Sequence, residues 1–215
     1  MKDVITVKPN LGGWLEIKLD DKEMKFLWDC IDNKQKSHKK NLAGNVSQSN
    51  LLIDKDDWFF NSVLYHLTEK YADEFQNMGD KYPLNRKLLY HMSGFWVNYQ
   101  KQYEYNPFHS HGGVYSFVIW MKIPTYYFEQ RRDNKFAYGS NSRTISNFKF
   151  EMIDFLGHMH GQTYEMSPKM EGTMLFFPSK LNHLVYPFYN CEEDRISISG
   201  NIGLDVTQQV NEDGE

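Results

Sequence analysis

After Pro83 the chain runs through six strand-like stretches, at 94–105, 114–123, 147–155, 173–177, 184–188 and 195–202, with no helical period between any two of them. Parallel neighbours need a crossover of a dozen or more residues, usually a helix. Without crossovers the strands pair antiparallel, and the expected architecture is a sandwich or a barrel. Two amphipathic helices precede them. Met24, Leu27, Trp28 and Ile31 form one apolar stripe, and Phe60, Val63, Leu64, Leu67 and Tyr71 form another, both at three- and four-residue steps. Asp54, Asp56 and Asp57 stand near the positive end of the second helix dipole. Both helices are expected on the outer face of one sheet, giving a mainly β fold with flanking helices. The first twenty residues, broken by Pro9, Gly12 and Gly13, read as two short strands or a strand and a turn. Residues 41–50 read as a surface loop, and 126–146 as a long aperiodic excursion that could lid a pocket. The chain is expected to be one domain over 1–215, with strands and supporting helices in 1–85, the β core in 86–205 and a polar tail at 206–215.

Composition narrows the function classes. Lys and Arg number 24 against 28 Asp and Glu, a net charge of −4, so counterion-driven binding of duplex nucleic acid is not expected. A 16% aromatic content supplies one sizeable core. Cys30 and Cys191 form no C-x-x-C pair, which argues against a disulfide scaffold or a cysteine zinc site and suits a reducing cytoplasm. No apolar run approaches the roughly 20 residues that span a bilayer, and the first ten residues lack the apolar core of a secretory signal. Without a secretory route, Asn45-Val46-Ser47 is a chance glycosylation acceptor.

Three constellations carry chemistry. In Asn106-Pro107-Phe108-His109-Ser110-His111-Gly112-Gly113, two histidines at i and i+2 on extended chain share a face, the geometry one metal ion needs from a strand end. Taken alone, such a pair is more often an ordinary surface feature, since imidazoles commonly sit half exposed. In Gly172–Pro187, an apolar strand ends at Pro178 and the chain returns with His183 heading the next strand, where a third imidazole could meet the first two; by itself such a histidine often only satisfies a turn carbonyl. In Arg195-Ile196-Ser197-Ile198-Ser199-Gly200-Asn201-Ile202, alternation puts Arg195, Ser197, Ser199 and Asn201 on one face and the isoleucines on the other. A guanidinium with a hydroxyl two residues on is shaped to hold a carboxylate.

In that order, as NPxHxH, GxxxFFPSxLxHxVxPF and RISISxNI, the motifs resemble those of the iron(II)- and 2-oxoglutarate-dependent oxygenases, closest to a small branch common in tailed phages and marine bacteria. The resemblance runs from Gly94 to Gly203 and covers the helices only weakly. It implies a double-stranded β-helix (jelly-roll, cupin-like) core, Fe(II) as cofactor and 2-oxoglutarate as cosubstrate. It makes His109 and His183 metal ligands, with His111 at the position between them, and makes Arg195 with Ser197 the clamp for the far carboxylate of 2-oxoglutarate. Tyr99, ten residues before His109, and Trp120 fall near positions where prolyl-hydroxylase-like members set a tyrosine against the cosubstrate. The implied reaction hydroxylates an unactivated C–H bond as 2-oxoglutarate is decarboxylated to succinate.

One position departs from the family pattern. The usual set is His-x-Asp/Glu followed by His, and position 111 is His. A neutral imidazole there leaves one more positive charge on the metal, favouring Fe(II) over higher oxidation states. Three-histidine sites occur in related cupin-like proteins; alternatively Glu104, Glu151 or Asp154 could supply the carboxylate. His158 and His160 form a second H-x-H, expected in a solvent-facing loop. Two rival readings stand beside the oxygenase: a metal-binding cupin-type enzyme without a keto acid, and a non-catalytic jelly-roll binding module. The substrate is expected to be a small molecule or a peptide, with no membrane partner, and the oligomeric state is open.

Overall fold

The computed structural model describes residues 5, 12–83, 88–154 and 156–206. Most of the expected polar tail and of the first ten residues lies outside these. Ten strands form: β1 Leu15–Lys18, β2 Gln48–Leu51, β3 Tyr90–Gln100, β4 Asn106–His109, β5 Tyr115–Lys122, β6 Asn147–Ile153, β7 Met159–Glu165, β8 Thr173–Pro178, β9 Asn182–Val185 and β10 Arg195–Leu204. They make a six-stranded sheet in the order β1-β8-β5-β10-β3-β2 and a four-stranded sheet in the order β4-β9-β6-β7. Every pairing between these strands is antiparallel, as the missing crossovers require.

Three of these strands are absent from the sequence expectation: β2, which overlaps the end of the expected loop 41–50, β4, and β7. Each is the outermost strand of its sheet. An edge strand needs no apolar alternation and tolerates proline, so Gln48–Leu51, Asn106–His109 with its Pro107, and Met159–Glu165 carry little of the usual signal. The strand expected at 184–188 begins two residues earlier, as β9, and stops before Pro187.

The helices form where their stripes lie. In α1, Asp21–Asp32, the Asp20 side chain accepts from the Glu23 amide while Glu23 reaches back to the Asp20 amide, a reciprocal cap. A π-turn over Phe60–Leu64 leads into α2, Tyr65–Glu74. Asp54 accepts from the Phe59 and Phe60 amides, both at 2.8 Å, closing that end. Leu27, Ile31, Phe59, Leu64 and Tyr71 pack with Phe95, Val97, Ile119, Phe176 and Ile198 on one face of the six-stranded sheet. Its other face meets the four-stranded sheet through Val118, Trp120, Leu175 and Phe177 against Phe148 and Phe150. The central strand β5 is buried on both faces, which explains its apolar run over 117–121.

The excursion 126–146 holds one short helix, α3 Tyr127–Asp133. Contrary to the lid expectation, none of its residues lines the cavity between the sheets; residues 41–44 and Val46 do. The two segments trade roles because Asn45 bridges to Tyr105 beside the cavity, while Tyr127, Ala137 and Ile145 collapse into a small core of their own.

Candidate metal and anion site

β4 lies against β9 with His109 opposite His183. His111 follows just past the end of β4, its amide donating to the Ser179 carbonyl at 2.8 Å. Gly113 then turns the chain toward β5 with φ of 84°; a Cβ there would come within 2.7 Å of the Ile202 carbonyl oxygen, so only glycine suits the turn. The three rings converge: one nitrogen from each of His109, His111 and His183 lies within 4.8 Å of the others.

Two of the rings are oriented by backbone carbonyls. His109 Nδ1 lies 2.6 Å from the Pro107 oxygen and His183 Nδ1 3.0 Å from the Leu181 oxygen. A carbonyl only accepts, so each Nδ1 carries the proton and each Nε2 keeps its lone pair. His183 Nε2 faces His111 Nε2 at 3.2 Å. This is the donor set and the outer support that a divalent transition metal takes from imidazoles. Burial, and then the neighbouring rings, hold His111 down to about 4 and His183 to about 3, which keeps them neutral and ready to donate.

The three proposed carboxylates are engaged elsewhere. Glu104 accepts from the Lys101 amide, Glu151 pairs with Lys149, and Asp154 accepts from the Leu156 and His158 amides. Among the described residues the ligand cluster is all histidine. His158 and His160 are exposed, as expected, although His160 sits on β7 rather than in a loop.

The other end of the cavity is set by Arg195, the first residue of β10. It is 2% exposed. Its guanidinium donates to Ser146 Oγ at 2.7 Å, to the Ser146 carbonyl at 3.2 Å and to Gln100 Oε1 at 3.4 Å, and lies 4.8 Å from the Phe188 ring centroid. None of these partners is a carboxylate, and Nε has no partner at all. Complete burial lowers its pKa to about 9. A buried cation without a counter-charge costs several kcal/mol, about what one well-placed carboxylate would offset. Arg195 and the three histidines line one cavity of about 320 Å³.

A family model described as "Putative 2OG-Fe(II) oxygenase" matches residues 94–201, just over half of the chain. The chain belongs to that family. No curated protein matches it in sequence. Among solved structures it is similar to the viral collagen prolyl hydroxylase vCPH of Paramecium Bursaria Chlorella virus-1, solved as its 2OG complex, with 14% identity, a TM-score of 0.50, and coverage of 88% of this chain and 94% of that one. An oxidoreductase of the 2OG-Fe(II) oxygenase family from Burkholderia pseudomallei gives 11% identity and a TM-score of 0.50 over 89% of this chain and 84% of that one. At such identities these likenesses speak for the fold, the jelly-roll core of 2OG-Fe(II) oxygenases.

Within this oxygenase fold Ser197 and Trp120 line the same cavity as Arg195, on adjacent strands in register. Tyr99 does not. It pairs with Ile196, on the face of β3 that packs toward the helices, and the ammonium of Lys34 lies 5.8 Å from its ring. Strand parity is the reason: Trp96, Asn98 and Gln100 face the cavity and Phe95, Val97 and Tyr99 face away. Alternation in 95–100 could have revealed Asn98 and Gln100. Ser146 had no such signal. It adopts φ of 56°, rare for serine, and aims both its carbonyl and hydroxyl at Arg195.

Proposed function

We propose that the chain is an iron(II)- and 2-oxoglutarate-dependent hydroxylase in which His109, His111 and His183 hold the metal and Arg195 holds the far carboxylate of the cosubstrate. The observation that carries this reading is Arg195: a buried guanidinium with no acidic partner, in the same cavity as three imidazoles that each bring one ring nitrogen within 4.8 Å of the others. When bound, iron and 2-oxoglutarate supply the oxidising chemistry, in which the keto acid is decarboxylated to succinate and one atom of O₂ enters a substrate C–H bond.

The chain's own work is orientation. Pro107 and Leu181 fix the rings of His109 and His183 through Nδ1, so their lone pairs need no rearrangement on metal binding. Ser146 and Gln100 fix the Arg195 guanidinium through neutral acceptors, so no carboxylate among its partners competes with that of the cosubstrate. Ser197 adds a hydroxyl and Trp120 an indole N–H on the same wall. Trp120, Phe148 and Phe177 make the inner walls apolar, which excludes water and strengthens the guanidinium–carboxylate pair. With histidine at 111 the protein contributes no charge to the metal, so the cosubstrate's carboxylate supplies the local negative charge.

A cytoplasmic enzyme acting on a small molecule or a peptide fits this reading. The two cysteines are free, the net charge is −4, and no helix among the described residues is long and apolar enough to cross a membrane. Anaerobic titration with Fe(II) and then 2-oxoglutarate tests it: a weak visible charge-transfer band is expected in wild type, with His111→Asp as the comparison. Absence of the band from both proteins would remove the oxygenase reading, and turnover without 2-oxoglutarate would replace it with keto-acid-independent chemistry.

A further inference from the structure

The serine of the FFPS run, Ser179, stands just past the end of β8 and shortly before His183, fully buried and outside the cavity lining. It holds the turn that carries His111 at three points. Its carbonyl accepts from the His111 amide at 2.8 Å, its amide donates to the Val114 carbonyl at 2.9 Å, and its hydroxyl donates to the Gly113 carbonyl. The Tyr82 hydroxyl donates to that same carbonyl at 2.6 Å from a side that is 36% exposed, so both lone pairs of the oxygen are taken.

The turn depends on such a hold. β4 pairs with β9 only as far as His109, so His111 lies beyond the ladder. Ser110 and Gly112 on either side of it are exposed, and a Cβ on Gly112 would meet nothing within 4 Å, so packing does not confine the backbone here. Two consecutive glycines leave it wide conformational freedom. Nor does the ring anchor itself: His109 and His183 are each fixed through Nδ1 by a carbonyl, whereas among the described residues the His111 ring has a hydrogen-bond contact only with His183 Nε2. Its main chain therefore decides where the imidazole stands. Aspartate at this position would offer a metal two oxygens, but an imidazole offers one lone pair in one direction and tolerates less play. Ser179 also belongs to the turn that delivers His183, closed by the Leu181 amide on the Pro178 carbonyl at 2.9 Å.

We propose that Ser179 is a positioning residue of the metal site: its hydroxyl, seconded by that of Tyr82, pins the Gly113 carbonyl and so ties the turn of His111 to the turn of His183, holding the two imidazoles at one ion. The proposal rests on the metal-site part of the oxygenase reading. A double-mutant cycle tests it, with Co(II), which takes the same imidazole ligands, titrated by visible absorption at fixed pH into wild type, Ser179→Ala, His111→Ala and the double variant. Ser179→Ala keeps both main-chain bonds, loses the hydroxyl, and should weaken Co(II) binding about tenfold, the low end for groups that support a metal ligand. With His111 already replaced, the same change should alter the residual affinity of His109 and His183 by less than about twofold, because no ligand is left for the serine to position. Tyr82→Phe removes the other donor; it should cost about threefold with His111 present and nothing without it, and it carries the test if Ser179→Ala does not fold. Equal weakening in both backgrounds would make the hydroxyl a support of the fold, and no weakening in either would make it idle. Each result overturns the proposal and leaves the oxygenase reading standing, whereas a wild type that takes up no Co(II) would sink that reading and the proposal with it.

Discussion

The chain carries His-x-His twice, and the two copies have different surroundings. His109 and His111 lie where β4 meets β9, an apposed strand that delivers His183, and the ring centroids stand 4.3–5.0 Å apart. His158 just precedes β7 and His160 lies on it, at the outer edge of the four-stranded sheet, where the partner strand β6 places Met152 opposite His160. Both histidines there are exposed, and Asp154 engages the first of them through its amide. Spacing put each pair on extended chain. What separates them is the strand across the gap, which brings the third donor, and the burial that keeps the imidazoles neutral.

The sharpest way to break that comparison is to remove the third ring. His183→Ala should abolish stoichiometric iron uptake, measured by metal analysis after anaerobic loading, whereas the double variant His158→Ala/His160→Ala should keep it. Iron retained without His183 but lost with the second pair would reverse the assignment. Next in size, Arg195→Ala should raise the 2-oxoglutarate concentration for half-saturation by roughly 30- to 5000-fold, the range for truncating a buried charge pair, with iron uptake intact. Equal loss of both would mean that Arg195 supports the fold rather than the ligand.

A smaller effect lies in acid stability. Burial depresses the folded-state values of His111 and His183 to about 4 and about 3, below the ordinary 6.5. The unfolded chain therefore binds protons first as pH drops, so the metal-free protein is fully stable above about pH 6.5 and weakens progressively below it. Thermal midpoints from pH 8 to 5 should fall in wild type and fall less in His111→Gln; parallel curves would contradict the burial argument. The smallest change is expected from Tyr99→Phe, which should leave 2-oxoglutarate affinity within about twofold and stability within about 0.5 kcal/mol, because that ring packs on the helix side of the sheet. A larger loss of affinity would return Tyr99 to the cosubstrate.

Much of the molecule was legible beforehand where the signal is local. The stripes of α1 and α2, the apolar run of β5 and the alternation of β10 each state their own burial, and β10 sets Arg195, Ser197, Ser199 and Asn201 along the cavity and Ile198 and Ile202 against the helices. Three edge strands were illegible because an edge has one partner and little apolar demand. Tyr99, which the resemblance set against the cosubstrate, stands on the helix-facing side of β3, because alternation along that strand gives the cavity to Trp96, Asn98 and Gln100.

The amino-acid order by itself determined an antiparallel β protein, the residue types that could ligate a metal or clamp a carboxylate, and the face on which each would stand within its own strand, since alternation belongs to a single extended backbone. Tertiary structure alone decided which of the two His-x-His pairs acquires a third imidazole, that Ser146 and Gln100 brace Arg195, and that residues 41–46 rather than 126–146 close the cavity. These depend on which strand lies opposite and in what register, and that is settled by packing among residues far apart in the chain.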